Sequence, residues 1–250
     1  MPTSLVVVAG IFGLVFGSFV TALTYRLPRG ISIARGRSAC TACGHALGWR
    51  DLFPVLSWAT SGGRCRHCGA AISWRYPAIE ILSATLFAAT AAAPLGAERS
   101  LVLMAMTPIL LALAVFDLER AILPNTLIFP LALLALVWRW KTGAPWLQGL
   151  VSAAVVGVFA IALDAATRHI ARDIPPLLGG GDAKLLVVAA IVFSLPHFFL
   201  FLTVSGLIGC VFGLAWQRAA KTERFPFGPG LCLGIWAVAL LSDRMPSQIS

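Results

Sequence analysis

Long apolar runs constrain the fold of this chain more than any other feature of its sequence. Hydrophobic residues fill 59% of the 250 positions, and charged residues fill only 12%. Soluble domains carry about 25% charged residues, and about 20 consecutive apolar residues are enough for a helix to cross a bilayer. The sequence therefore predicts an all-α polytopic membrane protein with about eight transmembrane helices.

Polar loops of very unequal length separate the predicted spans. We place the spans at residues 4–25, 76–94, 100–117, 122–138, 146–167, 183–195, 197–216 and 228–241. The loop at 26–75 is long enough to form a structural unit. We therefore divide the chain into a first transmembrane helix (1–25), a polar loop (26–75) and a seven-helix core (76–250).

The distribution of basic residues predicts the orientation of the chain. A net charge of +9 is by itself compatible with a nucleic-acid or a membrane partner. Most of the 19 Lys and Arg residues, however, lie in alternate loops, at 26–75, 118–121, 168–184 and 217–227. The positive-inside rule places these loops in the cytosol and both termini in the periplasm. The charge then indicates topology and contact with anionic membrane lipids, and we expect no nucleic-acid partner.

Four of the six cysteines fall in two C-x-x-C pairs within the long loop. The pairs are Cys40 with Cys43 and Cys65 with Cys68, about twenty residues apart, a spacing typical of a four-cysteine zinc site. Four thiolates would complete a tetrahedral, structural Zn2+ shell. The metal would also supply folding energy that so small a loop lacks. A dithiol redox centre or unmetallated thiols are the alternatives.

Two aspartates lie where the membrane makes a carboxylate costly. Asp117 ends the third predicted span, and Asp182 follows three glycines at the start of the sixth. A charged side chain inside the bilayer costs roughly 2.5–3.5 kcal/mol or more, so such acids usually mark a functional site. The predicted topology brings both to the cytosolic boundary. There they would form a pair that shares a proton and activates water.

The two aspartates occupy helix ends of opposite polarity. The C-terminal end of a helix disfavours a nearby carboxylate anion, and the N-terminal end favours it. We therefore expect Asp117 to hold the proton more readily and Asp182 to be the more readily ionised member. Each acid alone also has a structural explanation, since Asp182 would serve as a helix N-cap and Asp117 would pair with Arg120.

Two other classes of function are compatible with acids in a membrane protein. A proton-coupled transporter uses carboxylates within its helices, but its substrate site lies near the midplane between interrupted helices. Here both acids are near one face, which disfavours a transporter. The remaining alternative is a structural membrane protein whose zinc loop binds a cytosolic partner.

Several segments give the chain a close resemblance to the type IV prepilin peptidases, the leader peptidases of type IV pili and type II secretion. They are GSFVTALTYRLPRG at 17–30, the two C-x-x-C pairs, SWRYPAIEIL at 73–82, FDLERAILPNTL at 116–127, LGGGDAKLL at 178–186 and FPFGPGLCLG at 225–234. The GGGDAKL segment fits the glycine–aspartate motif that the family shares with other intramembrane aspartyl proteases. Thr21 and Asn125 depart from the family pattern, which often has asparagine and aspartate there.

The resemblance implies a definite reaction. Asp117 and Asp182 match the two catalytic aspartates, of which one deprotonates a water and the other protonates the carbonyl oxygen or the leaving amine. The cut bond would follow a glycine, between a short basic leader and the apolar helix of a prepilin or pseudopilin. The resemblance also implies a multi-pass protein of the bacterial inner membrane, with the zinc loop and the aspartates at its cytosolic face.

The resemblance further implies a second activity. The larger members of the family methylate the new N-terminal amine with S-adenosylmethionine, and Glu80 matches an acidic position associated with that step. Glu80 is therefore the candidate residue for binding the methyl donor. The alternative explanation for Glu80 is an ion pair with Arg75 inside the membrane.

Overall fold

The protein is helical throughout its regular structure. The computed structural model describes residues 3–170, 179–220 and 226–242, so the predicted loops at 168–184 and 217–227 lie partly outside it. Within those ranges all regular elements are helices. This confirms the predicted all-α polytopic class.

Eight long helices in the described ranges follow the predicted spans, and one short helix lies in the polar loop. Their bounds are α1 Thr3–Arg26, α2 Leu56–Thr60, α3 Arg75–Ala92, α4 Ala97–Arg120, α5 Asn125–Lys141, α6 Trp146–Ile170, α7 Gly180–Val192, α8 Leu195–Ala220 and α9 Gly228–Leu241. In the described part, four helices are long enough and apolar enough to cross a membrane, judged by length and composition alone. They are Thr3–Arg29, Ala97–Arg120, Trp146–Thr167 and Leu195–Arg218.

A turn between α4 and α5 replaces the start of the fourth predicted span. Helix α4 ends at Arg120, and the following Ala121 has a φ of 52° and a ψ of 39°, which put it in the left-handed region. Pro124 then precedes the first turn of α5 with a φ of −69°, the value that its ring imposes. Because proline suits the start of a helix, α5 begins at Asn125 instead of residue 122.

The chain forms two compact units, Met1–Ala93 and Pro94–Ser250. In the first unit α1 packs directly on α3, because glycines of α1 leave no side chain between the two backbones. A Cβ added at Gly17 would lie 2.6 Å from the Cα of Glu80, and one added at Gly13 would lie 2.6 Å from the Cα of Ala84. The division of the chain at residues 25 and 75 stays a prediction.

Helix α4 forms the core of the second unit. All its side chains from residue 110 to residue 117 are buried, and it packs against α5 and α9. Helix α7 packs against α5, α6 and α9. The two helices that carry the aspartates, α4 and α7, therefore both adjoin α9.

A buried arginine fixes the opposite end of α7. The guanidinium of Arg139, in the last turn of α5, is fully buried. It donates to the carbonyls of Ile191 and Phe193 at 3.1 and 3.4 Å, and to the carbonyl of Pro145 at 2.8 Å. Because buried polar groups are costly unless they are paired, these bonds tie the C-terminal end of α7 to α5.

Candidate active site and metal site

The structure brings the four predicted cysteine ligands together. The sulfur atoms of Cys40, Cys43, Cys65 and Cys68 all lie within 4.8 Å of one another. Each pair sits on a tight turn, with the N–H of Gly44 donating to the Cys40 carbonyl and the N–H of Gly69 to the Cys65 carbonyl. Both glycines have a φ of 72°, which a residue with a Cβ rarely adopts. The glycine after each C-x-x-C pair thus allows the turn to close.

The geometry of the sulfur cluster fits a tetrahedral metal site. Zn–S bonds of about 2.3 Å in a tetrahedron place two sulfurs about 3.8 Å apart. The Sγ atoms of Cys40 and Cys68, one from each pair, lie 3.9 Å apart. A soft, four-thiolate donor set of this size is typical of structural zinc.

The electrostatics of the cluster also favour a bound cation. Backbone N–H groups of Cys43 and Ala42 point at the Cys40 sulfur and lower the pKa of that thiol to about 6. The backbone N–H of Ala70 acts in the same direction at Cys68, but the neighbouring thiols outweigh it and raise the pKa of Cys68 to about 11. One thiolate therefore forms readily, whereas complete ionisation of the cluster requires a compensating positive charge.

Glu80 lies in the same unit as the cysteines and binds their loop. Its side chain is 6% exposed. Its Oε2 accepts the backbone N–H of Val55 at 2.7 Å, and its carboxylate lies beside the side chain of Ser18 in α1. The structure thus places Glu80 at a junction between α1, α3 and the polar loop.

The turn that Glu80 binds has an uncommon backbone conformation. Val55 has a φ of 62° and a ψ of −49°, and the N–H of Leu56 donates to the Pro54 carbonyl at 2.6 Å. These values describe a γ-turn, a rare and strained arrangement for a β-branched residue. Such strain persists only where surrounding contacts hold it, and the bond to Glu80 is one of those contacts.

Asp117 lies in the last turn of α4 and is 7% exposed. Its Oδ2 accepts the backbone N–H of Gly228, the first residue of α9, at 2.8 Å. A Cβ at Gly228 would lie 2.6 Å from that oxygen, so the approach depends on glycine. Within the described residues Asp117 forms no ion pair with Arg120, and the structural explanation for Asp117 is therefore wrong.

Asp182 lies in the first turn of α7, where Gly179 and not Asp182 occupies the N-cap. It is half-buried, beside the exposed backbone of Gly179 and Gly180. The two carboxylates are close enough for Asp117 to act electrostatically on Asp182. Both also act on the buried thiol of Cys232 in α9. The predicted pair is thus brought together at the junction of α4, α7 and α9.

Two contacts join the segments that carry the aspartates. A Cβ at Gly181 would lie 2.9 Å from Leu123, so the turn after α4 packs closely on the start of α7. In addition, Lys184 Nζ donates to Asn125 Oδ1 at 2.8 Å, both residues being exposed. Asn125 thus keeps the polar acceptor that an aspartate would supply at this position.

Sequence reasoning missed three parts of this site. Gly228 and Cys232 lie in the FPFGPGLCLG segment and Lys184 in the LGGGDAKLL segment, and both segments entered the sequence analysis only through the family resemblance. The signal available for Gly228 was its position between two prolines at the start of an apolar run. Nothing in the sequence indicated its bond to Asp117, since 111 positions separate the two residues.

Comparison with known proteins gives matches along most of the chain. Residues 11–93 match the profile described as the bacterial peptidase A24 N-terminal domain, and residues 104–214 match the type IV leader peptidase family. No solved structure gives a significant match.

Full-length relatives agree with these profiles. A prepilin leader peptidase/N-methyltransferase of Bacillus subtilis is 35% identical over 95% of this chain and 94% of the relative. One of Burkholderia pseudomallei is 34% identical over 94% of this chain and 85% of the relative. A type 4 prepilin-like proteins leader peptide-processing enzyme of Escherichia coli is 32% identical over 93% of each chain.

Proposed function

The chain belongs to the type IV leader peptidase family, and on that premise we propose that it is an intramembrane aspartyl endopeptidase. Its substrates would be type IV prepilins or type II secretion pseudopilins, from which it removes the short basic leader. The observation that carries this proposal is the placement of Asp117 and Asp182. Two acids from distant segments lie at the ends of α4 and α7, close enough to act on each other electrostatically.

The two aspartates divide the proton transfers between them. In the proposed reaction the ionised carboxylate takes a proton from water, while the protonated one donates to the carbonyl oxygen of the scissile bond. When the resulting gem-diol collapses and the C–N bond breaks, its hydroxyl proton returns to the aspartate that served as the acid, and the aspartate that served as the base gives the proton taken from water to the leaving amine. Both aspartates are then back in their starting states. We assign the base to Asp182 and the acid to Asp117, because the N-terminal end of α7 favours an anion and the C-terminal end of α4 disfavours one. The bond from Gly228 holds Oδ2 of Asp117 and leaves Oδ1 for the proton.

The glycines before Asp182 give the substrate backbone access to the pair. Gly179 and Gly180 are exposed, and a Cβ at Gly180 would meet nothing within 4 Å. An extended peptide can therefore approach the α7 backbone closely. We propose that the cut follows a glycine of the substrate and occurs at the cytosolic face, where the positive-inside rule predicts this end of α4 to lie.

We propose that the first unit serves a second reaction, the methylation of the new N-terminal amine. S-adenosylmethionine, when bound, supplies the electrophilic methyl group. Glu80 is the proposed contact for this donor, and its bond to Val55 would link the donor site to the polar loop. The four cysteines would hold Zn2+ as a structural ion that keeps this loop folded.

One experiment tests both activities. The purified protein in lipid nanodiscs is incubated with a candidate prepilin and S-adenosylmethionine, and the products are weighed by mass spectrometry. The proposal expects a shortened pilin that begins after a glycine of the leader and carries one added methyl group. If every candidate pilin and pseudopilin of the same cell remained uncut, that result would contradict the peptidase assignment. A shortened but unmethylated pilin would contradict the second activity alone.

A further inference from the structure

The polar loop carries an apolar surface between its two cysteine pairs. Trp49, Leu52, Phe53 and Leu56 are 68%, 50%, 51% and 63% exposed, and we call these four residues the Trp49 surface. Trp49 and Phe53 pack edge to face, with ring centroids 6.0 Å apart. Exposed apolar patches of this kind mark interaction sites.

The bond between Val55 and Glu80 fixes the position of the turn next to this surface along α1 and α3. Glu80 follows Arg75, the first residue of α3, by five positions, which correspond to about 7.5 Å along the helix axis. Helical side chains lean toward the helix N-terminus, so the carboxylate lies somewhat nearer the end of the helix than its Cα. The turn at Val55 therefore docks beside α3 about one helical turn inside the N-terminal end of that helix.

Ser18 in α1 also lies well inside the end of its helix. Ser18 lies beside the Glu80 carboxylate, and it precedes Arg26, the last residue of α1, by eight positions, which correspond to about 12 Å along the helix axis. The turn is thus held inside the ends of both helices, which are themselves marked by arginines. Apolar side chains next to such a turn would face lipid unless another molecule covers them.

The charge of the loop fits a lipid surface with anionic headgroups. Between residues 26 and 75 the only acidic residue is Asp51, and it pairs with Arg66 at 3.6 Å. The guanidinium of Arg50 lies 5.1 Å from the Trp49 ring, so a positive charge borders the apolar surface directly. Basic residues next to aromatic and aliphatic ones are the pattern of segments that lie in a membrane interface.

We propose that the Trp49 surface inserts into the bilayer leaflet that meets the ends of α1 and α3, with anionic headgroups around Arg50. The lipid would then hold the polar loop against the helix pair together with the bond from Val55 to Glu80. This proposal rests on α1 and α3 spanning the membrane, and it is independent of the peptidase reaction. It predicts a loop that lies in the membrane interface, whereas the sequence predicted a polar loop in the cytosol.

The depth of Trp49 is measured by fluorescence quenching of the full-length protein. The nanodiscs contain phosphatidylcholine and phosphatidylglycerol with bromine atoms either near the headgroup or near the bilayer centre. The contribution of Trp49 is the difference between the wild type and Trp49→Phe. Trp58→Phe is the matched control, because the Trp58 indole donates to the Ile72 carbonyl at 3.0 Å and packs against Gly63 inside the loop.

We expect the fluorescence from Trp49 to be quenched by the shallow bromines more than by the deep ones, and to be protected from aqueous iodide. Neither the shallow nor the deep bromines should quench the fluorescence from Trp58. Free quenching of Trp49 by iodide, without quenching by bromine, would overturn the proposal. Protection that arises only after a prepilin helix is added, or only with two protein copies per disc, would assign the surface to substrate or to a dimer and would also overturn it.

Hydrogen exchange supplies a measurement that needs no variant. Backbone amides of residues 49–56 should exchange several-fold more slowly in nanodiscs with phosphatidylglycerol than in phosphatidylcholine alone, since the arginines attract anionic headgroups. Equal exchange rates in the two lipids would contradict the role assigned to the charge.

Discussion

The Oδ2 of Asp117 accepts a hydrogen bond from the backbone N–H of Gly228 at 2.8 Å, across 111 positions of sequence. The bond joins the C-terminal end of α4 to the N-terminal end of α9. It leaves one oxygen of Asp117 for the proton and gives a glycine a direct part in the candidate site.

Gly228→Ala should lower peptidase activity although both aspartates stay in place. The new Cβ would lie 2.6 Å from Oδ2 of Asp117, so the carboxylate has to move or lose its donor. Leaving a buried hydrogen-bonding group without its partner costs about 1–3 kcal/mol, or roughly a fivefold to hundredfold fall in kcat. The matched control is Gly206→Ala in α8, where a Cβ meets nothing within 4 Å. Equal activities of the two variants would contradict the role given to Gly228.

Asn125 and Lys184 should act together in positioning the aspartates, because their bond at 2.8 Å links the two segments that carry them. Asn125→Leu and Lys184→Met should each lower kcat by about twofold to tenfold, as expected for one exposed hydrogen bond. The double variant should cost no more than either single one. Asn125→Asp should retain full activity because aspartate offers the same acceptor. Additive losses in the double variant would show that the two residues act separately.

Substitutions at Glu80 separate binding of the methyl donor from attachment of the loop. Glu80→Gln keeps an oxygen that can accept the N–H of Val55, whereas Glu80→Ala leaves that donor unpaired at a cost of about 1–3 kcal/mol. If the carboxylate charge serves methylation, Glu80→Gln should abolish methyl transfer while hydrogen exchange at residues 53–56 stays slow. Glu80→Ala should speed that exchange as well. Full methylation by Glu80→Gln would exclude a role for the charge.

Cys40→Ser should remove most of the bound metal. Its sulfur lies 3.9 Å from that of Cys68, and loss of one thiolate weakens a structural zinc site severely. Metal analysis should find about one zinc per wild-type chain and far less in the variant. Cys210→Ser is the control, because Cys210 is an exposed residue of α8 outside the cluster. A wild-type chain that binds no zinc at neutral pH would contradict the assignment of the metal.

The spans and the metal site were predictable from sequence because each depends on a local pattern. The length of an apolar run locates a membrane helix within a few residues. Each C-x-x-C pair brings its two sulfurs together on a turn that the following glycine closes. The start of α5 was misplaced by three residues, because Pro124 looks like part of an apolar run but sets the start of the helix.

The remaining parts of the two sites depend on contacts between distant segments. The bond of Gly228 to Asp117 arises only when α9 packs against α4. The left-handed backbone of Val55 is disfavoured by its β-branched side chain and is held by Glu80, 25 positions away. Propensity and periodicity contain no information about such partners.

Asp117→Asn and Asp182→Asn test the central claim most directly. Each variant is incubated with prepilin and, separately, with a pilin peptide that already lacks its leader, in the presence of S-adenosylmethionine. Mass spectrometry should show leader removal reduced by about 10²–10⁴-fold or more in both variants, while methylation of the shortened peptide continues at the wild-type rate. That second activity would show that the variants are folded. Leader removal at the wild-type rate by either variant would contradict the aspartyl mechanism.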